Sequence, residues 1–309
     1  MERRQLGRSG LRVPVLGLGT AGWDTSLHLD TARDLLTGML DHGSDLVDIS
    51  PTSPGNTAEA LLGELLESTA LDRHELLLSL SSGYDPDAPA GRRVDCSRRA
   101  LLSQLDASLR QLGTEYVDVW TIAAWDPATP ITELSATMDL VLSSGRARYV
   151  AVHGFEGWQL ALLAGKREEP LPSACNYSLL EHHADEDLIP AAQYLGSGVI
   201  ATRPLALGVL ASPRGQGVRS PEAHAYDSEH ARTVVDAVST AAQGLGTSPA
   251  SVALAWAVDR PGVSCAVVGV RNPRHLSDVL DASERRLPRP IRAALDDVSG
   301  AAGRLNVRE

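Results

Sequence analysis

The chain predicts a closed parallel α/β barrel of eight strand–helix units, a (β/α)8 TIM barrel, with an N-terminal β-hairpin and a C-terminal helix. Three observations predict it. Short apolar runs alternate with amphipathic stretches about eight times, the number a closed parallel barrel needs. The apolar runs are nearly continuous, as in strands buried on both faces. Residues 46–63, LVDISPTSPGNTAEALLG, read as a strand with acidic Asp48 at its carboxyl tip, then a Pro/Gly loop over 51–55, then a helix. Thr57 can cap that helix, Glu59 lies in its first turn, and Leu61, Leu62, Leu65 and Leu66 form its inner face.

The elements follow in order. Residues 5–18 read as a hairpin turning at Arg8, Ser9 and Gly10, followed by the apolar run VPVLGLG. Trp23 and Asp24 come just past that run, on the side where a site would form. Residues 31–42 have helical spacing, with Leu35, Leu36, Met39 and Leu40 inward. Beyond the acidic tip, strands at 76–80, 117–122, 149–152, 173–177, 199–202 and 265–268 precede helices at 99–112, 131–142, 157–164, 186–195, 229–245 and 273–282. Ser248-Pro249 restarts a helix through Trp256, and 288–299 reads as a terminal helix. The Gly/Pro/Ser-rich segment 211–224 follows a strand, so it reads as a site-side loop rather than a boundary. With no linker or composition shift, residues 1–309 form a single barrel domain.

Composition narrows the function. A net charge of −11 argues against nucleic acid and anionic membranes as partners and leaves a small-molecule substrate. Lys166 is the only lysine, so any catalytic lysine must be that residue. Cys96, Cys175 and Cys265 are too few and too scattered for a zinc site or a disulfide framework. The start MERRQLGRSGLRV has no signal-peptide core, and no apolar run is long enough to span a bilayer, so the expected location is the cytoplasm.

Several stretches together resemble the aldo/keto reductase family. They are the hairpin, residues 46–63, 116–130, 148–158 and 176–180, and 248–279. The resemblance covers nearly the whole chain and implies a carbonyl reductase using NADPH. In that family a tyrosine donates the proton, helped by a lysine paired to an aspartate, and a histidine orients the substrate. Asp48, Glu59 and Gly63 fall at matching positions. The tyrosine position holds Ser53, the lysine position Ser81 and the histidine position Ala123, so the expected tetrad is degenerate. A serine hydroxyl without a base partner is too weak an acid to protonate an alkoxide, and alanine cannot hydrogen-bond a carbonyl. Without its lysine, Asp48 is expected either to be neutral or to be paired with a new donor.

The resemblance places the nicotinamide hooks at His153, Gly154 and Ala174, and the stacking aromatic at Thr202. Arg203, Arg271 and Asp278 remain where they can meet a cofactor's phosphates and adenosine end, whereas His275 and Val279 depart from the pattern. The expectation is therefore no required cofactor, with NADP(H) binding weakened. Asp48 and His153 are the candidate acid–base residues, and His153 is also readable as a pocket-filling polar residue. Trp23, Trp125, Asn176 and Arg203 are the candidate pocket residues, with Tyr84 and Tyr177 as further aromatics. His182 and His183 on their acidic loop read as surface, and no metal site is expected. Three functions follow. One is a pseudo-oxidoreductase repurposed for non-redox chemistry on a small carbonyl-bearing metabolite: enolisation, dehydration, cyclisation or a lyase-type step. Another is an inactive nucleotide sensor or scaffold, as for family members that accompany channels. The third is an NADPH-dependent reductase with an altered proton relay.

Overall fold

The computed structural model describes residues 1–49, 57–68, 71–213 and 221–301. Strands β1 (Arg3–Gln5) and β2 (Arg12–Pro14) form an antiparallel hairpin. Eight parallel strands then close a barrel: β3 (Leu16–Gly19), β4 (Leu46–Ile49), β5 (Leu77–Ser82), β6 (Val117–Ile122), β7 (Ala147–His153), β8 (Ser173–Asn176), β9 (Val199–Thr202) and β10 (Val263–Gly269). Strand β10 pairs with β3 to complete the ring.

The helices of the outer wall are α1 (Leu29–Asp41), α2 (Thr57–Glu67), α3 (Arg98–Leu112), α4 (Ile131–Ser143), α5 (Gly157–Ala164), α6 (Leu188–Leu195), α7 (Glu229–Leu245), α8 (Pro249–Val258), α9 (Leu276–Glu284) and α10 (Arg289–Ser299). Their ends follow local chemistry. Ser97, Ser228 and Ser248 cap α3, α7 and α8 by accepting backbone N–H bonds from Ala100, Ala231 and Ser251. Thr57 is the first described residue of α2, and the position before it lies outside the described residues.

The barrel interior is set by strand alternation. Leu46, Val119, Ala151, Ala174, Ile200, Cys265 and Val267 pack together inside it. The hairpin plugs the amino-terminal end, where Leu6, Leu11 and Val13 join the same cluster. Gly7, at φ 65, lets that plug seat, since a Cβ there would stand 2.4 Å from the backbone nitrogen of Gly198. With that end filled by apolar side chains, the carboxyl end of the strands is left for polar ones. The carboxyl end is also where barrels of this class carry chemistry.

Candidate functional site

Two residues beyond the interior cluster, the same alternation points a ring of polar side chains into the barrel mouth. Asp48 follows Leu46, His153 follows Ala151, Asn176 follows Ala174 and Thr202 follows Ile200. All four are the last or next-to-last residues of their strands.

Asp48 is crowded by protein and accepts a 2.7 Å hydrogen bond from Ser79 Oγ on the adjacent strand β5. Burial pushes its carboxyl up from 3.8 to about 6, and the Ser79 bond works against that rise. Ser81 is half-buried near the end of β5, and Ala123 lies just past the end of β6. Ser53 lies outside the described residues. Lys166 is exposed beyond the carboxyl end of α5. Because α5 starts at the mouth and runs back along the wall, this puts the chain's one lysine at the opposite end of the barrel. Asp48 therefore has no lysine partner.

His153 belongs to a different group. Its Nδ1 lies 3.3 Å from the carbonyl oxygen of Ala123, and its Nε2 lies 3.3 Å from Thr202 Oγ1. Thr202 Oγ1 donates to Asn176 Oδ1 at 3.2 Å, and Asn176 Nδ2 donates to Glu181 Oε1 at 3.1 Å. Glu181 Oε2 accepts from the Tyr226 hydroxyl at 2.5 Å. Burial holds the imidazole below its usual range. The Ala123 carbonyl and Glu181 oppose that shift, and Arg203 adds to it. No hydrogen bond joins His153 to Asp48 among the described residues.

A cavity of about 220 Å³ opens beside this group, lined by His153, Gly154, Phe155, Glu156, Cys175, Asn176, Glu181, His183, Ala184, Asp187 and Leu188. Burial pushes the Cys175 thiol to about 12, so it stands in the cavity as a neutral group. A second depression lies between the first turns of α3 and α4, at Arg98, Pro130, Thr132 and Glu133, and shares no lining residue with this cavity. Trp125 packs edge-on against Phe155 and Trp158, with ring centroids 5.3 and 5.5 Å apart, and walls the region next to the cavity.

The loop after β9 is conformationally costly. Arg203, Ala206 and Leu207 have φ of 53°, 47° and 57°, a region that L-residues with a Cβ avoid. Buried Ala206, Val209 and Leu210 anchor it, and it holds exposed Arg203 beside the mouth. Residues 214–220 of the segment read as a site-side loop lie outside the described residues.

The positions expected for a nicotinamide cofactor differ at its two ends. Ala174 is buried in the barrel floor, Gly154 has no side chain, and both ring nitrogens of His153 already have protein partners. Of these three positions only His153 carries a polar side chain. At the other end Arg271 is exposed and lies flat over Gly22, where a Cβ would stand 2.8 Å from Arg271 Cδ. Asp278 lies in the first turn of α9. That end can still meet a phosphate.

Three sequence expectations are corrected. Trp23 is fully buried and donates Nε1 to the carbonyl of Val270, so it is core and does not line the pocket. Tyr177 is also fully buried, because alternation turns it out of the barrel where Asn176 turns in. His182 is buried rather than on the surface, with Nε2 bonded to the carbonyl of Ser299, while His183 is exposed. No group of three His, Cys, Asp or Glu side chains is placed to hold a metal among the described residues. Nothing in the sequence singles out Tyr226, and Glu181 is legible there only as part of the acidic loop around His182 and His183. No local periodicity marks either, since Glu181 sits on a loop and Tyr226 ends the short 3-10 helix Pro221–Tyr226.

No helix among the described residues is long and apolar enough to cross a membrane. Residues 15–299 match the aldo/keto reductase family. The chain is similar to an uncharacterized oxidoreductase, YrpG, of Bacillus subtilis, at 28% identity over 98% of this chain and 97% of that protein. It is 30% identical to an L-glyceraldehyde 3-phosphate reductase of Escherichia coli over 91% of this chain and 87% of the relative. A putative voltage-gated potassium channel subunit beta of Schizosaccharomyces pombe is 26% identical over 91% and 88% of the two chains. Fold, order of elements and near-full-length coverage agree, and the chain belongs to the aldo/keto reductase family.

Proposed function

We propose that this barrel performs proton-transfer chemistry, without net redox change, on a small carbonyl-bearing metabolite bound at its mouth. The observation that carries the reading is the imidazole of His153 reaching from β7 to the backbone carbonyl of Ala123, just past the end of β6. An imidazole thus stands over the position where the family resemblance expects one, although residue 123 cannot supply it. At 3.3 Å this is a long and weak hydrogen bond, which a substrate carbonyl can replace. Asp48, raised to about 6, is suited to take a proton near neutral pH, and His153 to polarise or protonate the carbonyl oxygen. The absence of any lysine at this end supports chemistry other than the family's tyrosine–lysine relay.

An NADP(H)-linked oxidoreductase with an altered relay is the second reading. The relatives favour it, since two are named as an oxidoreductase and a reductase. Exposed Arg271 favours it too.

One pair of measurements separates the two. A panel of small aldehydes, ketones and keto acids is incubated in D2O without cofactor and followed by proton NMR, while NADPH binding and oxidation are followed by fluorescence. Deuterium entering the carbon beside the carbonyl, lost in His153→Gln and Asp48→Asn, is the expected result. NADPH oxidation with a plain ketone at ordinary reductase rates would overturn it.

A further inference from the structure

The hydrogen-bond chain at the mouth has a direction, fixed by which groups can donate. An ionised carboxylate only accepts, so Glu181 takes hydrogens from both Tyr226 and Asn176. That orients the Asn176 amide with Nδ2 toward Glu181 and Oδ1 toward Thr202. Thr202 has one hydroxyl hydrogen, and Asn176 Oδ1 takes it. None is left for His153, so the contact with Thr202 Oγ1 is made only when Nε2 donates. On its other side Nδ1 faces the Ala123 carbonyl, which also only accepts. Every link is satisfied at once only when both ring nitrogens carry hydrogen.

We infer that Glu181, anchored by Tyr226, is a positioning residue that acts through Asn176 and Thr202 to favour the doubly protonated form of His153. Other groups oppose it. Arg203 and burial disfavour the cation. His183, Glu156 and Asp187 line the neighbouring cavity, and the two carboxylates there work with Glu181 rather than against it. Asp48 makes no hydrogen bond to the ring among the described residues. Neutral His153 breaks a link in either tautomer: with its hydrogen on Nε2 it gives nothing to the Ala123 carbonyl, and with it on Nδ1 Thr202 must turn its hydrogen to Nε2 and leave Asn176 Oδ1 without a donor.

The inference deepens the acid–base reading above and rests on it only for its use in turnover. It makes a further prediction about residue 181. An amide there can donate, so the whole chain can reverse. Residue 181 then donates to Asn176 Oδ1, Asn176 to Thr202, and Thr202 to Nε2. This arrangement satisfies a neutral His153 carrying its hydrogen on Nδ1.

The test is ¹⁵N NMR of the His153 ring against pH in the resting protein, so it needs no substrate. In Glu181→Gln the protonation midpoint is expected to fall by about one pH unit, and the neutral ring to carry its hydrogen on Nδ1. Thr202→Val cuts the chain, so the Glu181→Gln effect on the midpoint should drop to less than half in that background, and Thr202→Ser should restore it. An unchanged midpoint and tautomer in Glu181→Gln, or an undiminished effect in Thr202→Val, would overturn the inference. If deuterium exchange fails while this titration behaves as described, the proposed reaction falls and the wiring stands. The reverse result removes only the wiring.

Discussion

Two polar clusters are threaded from neighbouring residues, and they are built in opposite ways. Asn176 and Glu181 feed the mouth, while Tyr177, His182 and Asp185 feed a cluster beneath the last helix. In that second cluster Arg260 bonds Asp185 at 3.2 Å, Asp296 at 3.0 Å and the Tyr177 hydroxyl at 3.0 Å. Tyr177 donates to Asp185 at 2.6 Å, Trp256 Nε1 donates to Asp296 at 2.7 Å, and the Arg260 guanidinium lies 4.8 Å from the Trp256 ring. Asp185 and Arg260 are both buried, and neither lines the cavity at the mouth. The mouth cluster is anchored by a short bond at Tyr226 and ends in two 3.3 Å contacts at His153, next to open volume. The difference separates holding from handling. An ionic cluster centred on buried Arg260 fastens α10 to the end of α8, whereas a chain with weak links at its end can exchange one of them for a ligand.

The largest effect should come from breaking the closed cluster. Arg260→Ala leaves Asp185 buried without its cation, and about 3–5 kcal/mol of unfolding free energy should be lost in chemical denaturation. A cost below about 1 kcal/mol would mean that the cluster does not fasten the helix.

Asp48→Asn should act in the other direction. Because burial raises the carboxyl from 3.8 to about 6, ionised Asp48 opposes folding. Wild type therefore has its full relative stability below pH 3.8 and loses it as pH rises through about 6. The variant should become the more stable protein across that window, by about 3 kcal/mol above it. Denaturation at pH 4 and pH 8 checks the sign. A variant less stable than wild type at pH 8 would show that Asp48 is paired with a cation.

The smallest stability effect belongs to His153→Gln. Its long contacts should cost less than about 1 kcal/mol to lose, although exchange activity disappears. If it destabilises the fold as much as Arg260→Ala, the contrast between the two clusters fails.

Much of the scaffold was legible in the sequence. The elements at Val117–Ile122, Gly157–Ala164, Val199–Thr202 and Glu229–Leu245 have the bounds their apolar spacing predicts. The sixth outer-wall helix starts at Leu188 rather than at residue 186, because His183–Asp185 forms a separate turn that delivers Asp185 to Arg260. The site was legible only where strand alternation places a side chain. Asp48, His153 and Asn176 point into the mouth because they lie two residues from interior positions. Trp23 lies on a loop with no such alternation, and the same residue type serves a core as well as a pocket. Tyr226 reaches Glu181 across 45 residues of chain, and no local pattern encodes such a contact.

The sequence by itself determined the barrel, the family, the single lysine and the set of side chains at the strand ends. Period-two alternation and residue identity are local properties, readable one segment at a time. Only the tertiary structure decided that the lysine lies at the far end, that Tyr177 and His182 turn away from the site, and that an imidazole stands over Ala123. Those facts depend on ring closure, which brings β6, β7, β8 and β9 side by side and lets donors distant in sequence meet acceptors within about 3 Å.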